Sequence, residues 1–316
     1  MLKYALRRIL AIIPVCLGIS VVVFGMIHLV PGDPAIALVG PNSNPETLAK
    51  VRQSLGLTAP VYVQYGRWLA HAVHGDLGLS IHMDQPVLPE LLRRFRASLL
   101  LAAASFALAI PIGIGAGVVA ALTRGSPLDR LTMVTTMVGI SMPPFYIGML
   151  LIIVFSVGLR WLPSGGMFEI TQDPTPLSIG IHLILPALAL AGAPVTVVAR
   201  MVRASMLEIL QKDYVRTAHA KGMTTTAVIW HHILRNALIP VIGLLGLQVG
   251  YLLSATALVE VVFSWPGLGS LIVESILTRD LPVAQGCVLI IAVLYVVVNT
   301  AADIVQLILD PRLRYA

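Results

Sequence analysis

Charge is scarce in this 316-residue chain: Asp, Glu, Lys and Arg together make up 11% of it, and cysteine occurs only twice. Each shortage excludes something. Cys16 and Cys287 lie inside apolar runs, which leaves no disulfide framework and no cysteine-based metal site. None of the four lysines follows a glycine, so there is no G-x-x-x-x-G-K-S/T phosphate loop and the chain is not itself an ATPase. No nucleophile–base or paired-carboxylate constellation marks an enzyme. The 21 basic residues give a formal net charge of +6, but a nucleic-acid partner would need them gathered on one face, and they follow a different rule.

Apolar sequence is what the chain has in quantity. Hydrophobic residues make up 57% of it and the mean hydropathy is +0.90, more than a water-soluble domain of this length can hide. The excess faces lipid. A hydrocarbon core about 30 Å thick needs about 20 apolar helical residues. Six windows free of Asp, Glu, Lys and Arg reach that length: 9–30, 97–122, 131–159, 177–199, 236–259 and 281–302. Pro14, Pro111, Pro143, Pro144, Pro186, Pro194 and Pro240 fall in them and are expected as kinks whose freed backbone groups find other partners. The first window is too long for the apolar core of a signal peptide and is read as a span. The expected fold is an all-α integral membrane protein with six transmembrane helices.

The basic residues then report orientation. With the N-terminus inside, thirteen fall in inside segments, from Lys3, Arg7 and Arg8 to Arg312 and Arg314, and only Arg160 and Arg279 fall in the two short outside loops. The other six lie in the 31–96 segment, which is long enough to escape the rule. The expected organisation is a cytoplasmic tail and first span over 1–30, an extracytoplasmic loop over 31–96, a five-span core over 97–309 and a cytoplasmic tail over 310–316. Within the core, a cytoplasmic loop covers 200–235.

That loop contains DYVRTAHAKG, residues 213–222, dense in charge for so apolar a chain. Leu207, Leu210, Tyr214 and Ala218 recur at helical spacing and predict a narrow apolar stripe, with Glu208, Lys212, Arg216 and Lys221 on other faces. Gly222 is placed to end the helix in a left-handed conformation, and Thr224, Thr225 and Thr226 offer caps for a second one. The residues alone fit two readings equally: a rigid helix–glycine–helix knob, or an amphipathic connector lying on the membrane surface.

The same stretch resembles the signature loop of binding-protein-dependent ABC importer permeases, in which Glu-Ala-Ala is followed by three residues, a glycine and a later Leu-Pro. Arg216-Thr217-Ala218, Gly222 and Ile239-Pro240 occupy those places. The Asp-Tyr, Arg-Thr-Ala and Lys-Gly run is similar to the dipeptide/oligopeptide/glutathione/nickel branch. LRRIL near the start, LVPGDPA at 29–35, GDLGLS at 75–80, RASMLEIL at 203–210, LRNALIPV at 234–241, FSWPGLG at 263–269, RDLPV at 279–283 and DPRLR at 310–314 agree with it in order.

The resemblance implies a type I ABC importer permease fold in the bacterial cytoplasmic membrane. It implies a second homologous permease, two ATP-binding subunits that hold the ATP and Mg, and an extracytoplasmic solute-binding protein. Asp213, Tyr214, Arg216, Thr217, Ala218, Lys221 and Gly222 would form the ATPase-coupling loop, and Phe263, Trp265, Pro266 and Gly267 would receive the binding protein. No cofactor or metal is expected in this chain. Glu260, Asn299 and Asp303 are the ionisable or polar pore candidates, each near enough to a span end to serve equally as an anchor. His71 and His74, three apart, lack the supporting ligands of a metal site. Short peptides are the expected substrate, with glutathione and nickel complexes as alternatives. An ATP-independent channel or carrier and a non-transporting scaffold are the rivals from other classes.

Overall fold

The computed structural model describes residues 2–29, 36, 44–54, 58–169 and 173–309. Among them every regular element is helical, apart from one isolated bridge between Leu79 and Pro86. The chain begins with α1 (Leu2–Leu29), α2 (Pro45–Ser54), α3 (Val61–Val73) and α4 (Val87–Leu122). It continues with α5 (Pro127–Ser141), α6 (Pro144–Leu151, prolonged by a π-helix over Ile152–Gly158) and α7 (Pro176–Ile209). Then follow α8 (Asp213–Ala220), α9 (Thr225–Val228), a π-helix over Ile229–Leu234, α10 (Arg235–Val262), α11 (Leu268–Leu277) and α12 (Leu281–Leu309).

Four stretches among the described residues are long and apolar enough to cross a membrane: Val87–Leu122, Pro176–Ile209, Thr225–Leu245 and Leu281–Ala301. The first expected window appears as the shorter apolar stretch Leu10–Gly25. The third corrects an expectation. Instead of one kinked span over 131–159, α5 and α6 with its π extension meet at a bend of 108°. Two consecutive prolines are the cause. Met142, preceding Pro143, is forced out of the helical region to φ −108°, ψ 138°, and Pro143 stays extended while Pro144 restarts the helix at its first position.

The chain folds into two compact units. The first comprises Met1–Ala5, Ser98–Trp265 and Val298–Ala316. Its axis is α7, 56% of whose apolar window is buried against 22–28% for the other three long stretches. Helices α5, α6 and α10 all pack on it. Small residues let them come close, as they do where lipid supplies no hydrophobic drive to associate. A Cβ on Gly113 or Gly117 of α4 would lie 2.8 Å from Val198 or 2.7 Å from Val202 of α7. Gly139 of α5 and Gly192 of α7 meet backbone to backbone. Thr196, one turn on, directs its hydroxyl to the carbonyl oxygens of Thr136 and Gly192 and so ties the two helices at the crossing.

The second unit comprises Leu6–Ala97 and Pro266–Val297. Its core joins Val87 and Leu91 of α4, Leu268 and Leu271 of α11, and Val283 and Cys287 of α12. The expected helix around Tyr62, Tyr65 and Trp68 is α3. Tyr65 and Trp68 pack their rings 5.5 and 5.7 Å from Phe24 of α1, whereas Tyr62 is exposed. Helix α4 starts ten residues before the window at 97, extended by the Glu90 pairs with Arg93 and Arg94. Asp280, 2% exposed, accepts from the Ser80 hydroxyl and from the His82 and Val283 amides. The GDLGLS and RDLPV stretches are thus joined through one carboxylate.

The α5–α7 crossing gives a stability prediction. Gly139→Ala forces a methyl into the Gly192 backbone and should cost about 1–3 kcal/mol by overpacking, read as a lower thermal midpoint in detergent. Gly180→Ala, where a Cβ meets nothing within 4 Å, should hold or raise that midpoint. Equal midpoints for the two variants would show that the crossing is not close-packed.

Candidate functional site

The charged stretch at 213–222 is held differently from the pattern expected. A single helix through Leu207, Leu210, Tyr214 and Ala218 does not form. Helix α7 stops at Ile209, Lys212 is extended at φ −76°, ψ 144°, and α8 restarts at Asp213 with a new phase. Val215 and Ala218 become the inward pair, 3% and 7% exposed. They join Val202 and Met206 of α7, Val228, Ile233 and Leu234 after it, and Ala237 of α10 in one buried cluster. Tyr214 is 43% exposed, a correction to the predicted stripe.

The exit from α8 follows the sequence expectation. Gly222 sits at φ +80°, its amide donates to His219 O at 2.9 Å, and the Met223 amide donates back to Ala218 O at 3.3 Å. Those two bonds make a Schellman motif, which satisfies orphan carbonyls and stops the helix. Met223 then packs on the buried cluster from its edge. Thr224 accepts from the Ala227 amide at 3.3 Å and caps α9. A two-turn helix with a buried seam and a closed C-terminal end is a rigid projection.

Its outer face carries the charge. Asp213, Tyr214, Arg216, Thr217, Lys221 and Gly222 are exposed, and Ala218 alone among the seven candidate residues is buried behind them. Asp213, Arg216 and Lys221 form no ion pair among the described residues. Tyr214 is steadied through its hydroxyl, 3.4 Å from Asn236 Nδ2. The projection thus presents its charge outward rather than spending it on the fold.

A second feature of this unit escaped the sequence reading. Asp129 accepts two parallel bonds from Arg203, Nε to Oδ1 and Nη2 to Oδ2, both at 2.8 Å. The Gly125 amide adds a third at 2.9 Å, and Asp129's own amide donates to the Ser126 cap at 3.2 Å. A bidentate guanidinium–carboxylate pair is directional as well as strong, so it pins the 123–129 turn to the last third of α7, just before α8. The available signal was isolation: Asp129 is the only acid between Glu90 and Glu169.

The remaining candidates scatter. Phe263 and Trp265, expected on a docking surface, are 1% and 0% exposed. Phe263 O accepts from the Gly166 amide at 2.7 Å, and its ring lies where Gly148 leaves room. Pro266 and Gly267 belong to the second unit, where Gly267 precedes α11 and its amide donates to Ser270 Oγ at 3.1 Å. Glu260 is fully buried and accepts from the Ser98 hydroxyl at 2.6 Å. Asn299 is half-buried on α12, and the Asp303 side chain lies outside the described residues. His71 bonds Asp76 at 2.9 Å. That hydrogen bond, then the Gly78 amide, holds the Asp76 carboxyl below its usual range. No group of three metal-ligating residues occurs among the described residues.

Several helices long and apolar enough to cross a membrane, with one polar projection, define a multi-pass membrane protein. Its fold is shared with a solved amino acid ABC transporter, at a TM-score of 0.51 and 14% identity, over 69% of this chain and 93% of that one. The sequence profile described as binding-protein-dependent transport system inner membrane component matches residues 109–315, and its N-terminal companion matches residues 1–102. The glutathione transport system permease protein GsiC of Escherichia coli is 43% identical over 315 residues. The dipeptide transport system permease protein DppB of Alkalihalophilus pseudofirmus is 40% identical over 334 aligned positions, and both matches cover all of each chain. The chain belongs to the binding-protein-dependent transport system inner membrane component family, as a permease subunit of an ABC importer.

Asp129→Asn keeps the size of the side chain and removes the charge, leaving Arg203 half-buried without its partner. Lower thermal stability and reduced uptake are expected. Partial recovery is expected when Asp129→Arg is combined with Arg203→Asp. A double variant no better than either single one would show that the pair's charge is not what matters.

Proposed function

We propose that this chain forms half of the translocation pathway for short peptides in an ATP-driven importer of the bacterial inner membrane. In this reading it has six spans, with α1 as the first and α5 with α6 counted as one broken span. Both termini and the 200–235 segment face the cytoplasm, as the distribution of basic residues implies. Its partners are a second homologous permease, two ATP-binding subunits that bind ATP and Mg, and an extracytoplasmic solute-binding protein. The extracytoplasmic loops receive that protein through surfaces that Phe263 and Trp265 support from within.

The observation that carries the reading is the mounting of α8. Val215 and Ala218 fix it to the core of the unit while Asp213, Tyr214, Arg216, Thr217, Lys221 and Gly222 face outward. Such a projection suits a coupling helix seated in a groove of an ATP-binding subunit, because a push on it is passed to α7 and α10 rather than absorbed. For substrate, relatives named for glutathione and for a dipeptide stand at 43% and 40% identity. That near-equality supports the chemistry common to both, a short peptide with free carboxylates.

Two experiments test this. Gly222→Val leaves packing untouched, since a Cβ there meets nothing within 4 Å at φ +80°, but strains the helix exit by about 1–2 kcal/mol. Arg216→Glu should weaken association with the ATP-binding subunit by about 2–5 kcal/mol if Arg216 meets a desolvated acid. Both variants should insert and pair with the second permease, yet co-purify poorly with the ATPase and lose uptake. A Gly222→Val variant that transports like the parent would instead favour a connector lying on lipid. For orientation, single cysteines in a cysteine-free background should react with an impermeant reagent at Asn44 in intact cells and stay unlabelled at Thr225. Labelling at Thr225 would invert the topology.

A further inference from the structure

A cavity of about 590 Å³ opens in the first unit between α5, α7 and α10. Its volume falls within the range of small-molecule sites. Met133, Met137 and Met201 supply much of the wall. Unbranched and polarisable, methionine adapts to differently shaped apolar partners without a fixed pocket. The polar lining is cationic and includes no acidic residue. Arg203 is committed to Asp129, and the Thr196 hydroxyl is turned back onto backbone carbonyls. Arg200 is exposed, and no ion pair or hydrogen bond engages it among the described residues.

We propose that this cavity is a substrate station of the translocation pathway, in which Arg200 takes the terminal carboxylate of a peptide and the methionines accept its variable side chains. The assignment rests on the reading of the chain as a peptide permease and adds to it a place and a recognition rule. Its logic is a division of labour between two arginines three residues apart on α7. Arg203 is spent on structure, and Arg200 keeps a planar fork of donors free for a carboxylate. One charged contact plus a yielding apolar wall reads the feature all peptides share and ignores the features that differ.

The test uses the complete importer in proteoliposomes and a dipeptide whose side chain carries a benzophenone, as the free acid and as its C-terminal amide. Under transport conditions the free acid should label the 133–140 or 196–204 segments after illumination. Arg200→Gln should cut that labelling roughly tenfold, the loss of one charge-assisted contact, and Arg200→Lys should restore part of it. The amide should label weakly in the parent and be insensitive to Arg200→Gln. Three results would overturn the proposal: no label in these segments, equal labelling by acid and amide, or an Arg200→Gln variant that no longer co-purifies with the second permease. The last would mark the surface as a subunit interface. A parent importer that transports neither acid nor amide but another solute would overturn the peptide reading itself, whereas peptide uptake that is indifferent to Arg200 would overturn only this assignment.

Discussion

The packing of Val215 and Ala218 into the core of their unit decides what the charged segment can be. A two-turn helix is too short to persist in water by itself. Here it persists because two small side chains are sealed against Val202, Met206, Val228 and Ile233, while the Schellman bonds of Gly222 and Met223 close its far end. Everything exposed on α8 inherits its position from that seam. Arg216 and Lys221 are long and mobile side chains, but the backbone that carries them is fixed.

Four of the six apolar windows reappear as long apolar helices, legible because hydrophobicity over about 20 residues is an additive property. Gly222 was legible because glycine takes a positive φ without the steric cost that a Cβ brings. Phase was not. Helical spacing points Tyr214 inward, yet Val215 is the residue that turns in, because a three-residue interruption at Leu210–Lys212 resets the helix and no periodicity survives such a break. The tandem Pro143–Pro144 announced a disturbance, but whether it kinks or folds the helix back depends on what α7 offers each half to pack on. Aromatic residues between two apolar windows suggest a surface, yet Phe263 and Trp265 are buried.

Buried acids form a pattern of their own. Asp129, Glu260 and Asp280 are 4%, 0% and 2% exposed. Each accepts from a specific donor far away in sequence: Arg203, Ser98 and Ser80 respectively. A carboxylate taken out of water is costly unless its oxygens are met, so each of these marks a contact specified as well as stabilised. In a chain with only 15 acids, committing three this way shows how much of the scarce charge goes to tying segments that are distant in sequence to one another. The exposed cations at Arg200, Arg216 and Lys221 stand out by contrast.

The break at Pro143–Pro144 separates α5 from α6 mechanically. Prolines contribute no amide to the backbone ladder, and the extended Met142 and Pro143 remove the stiffness a continuous helix would have. A lever needs a rigid beam, and this segment is two short beams joined at a pivot. Rotation of α5 about its crossing with Gly192 therefore need not drag α6 by the same angle. Helix α7 is such a beam, running 34 residues from Pro176 to Ile209 and ending three residues before α8.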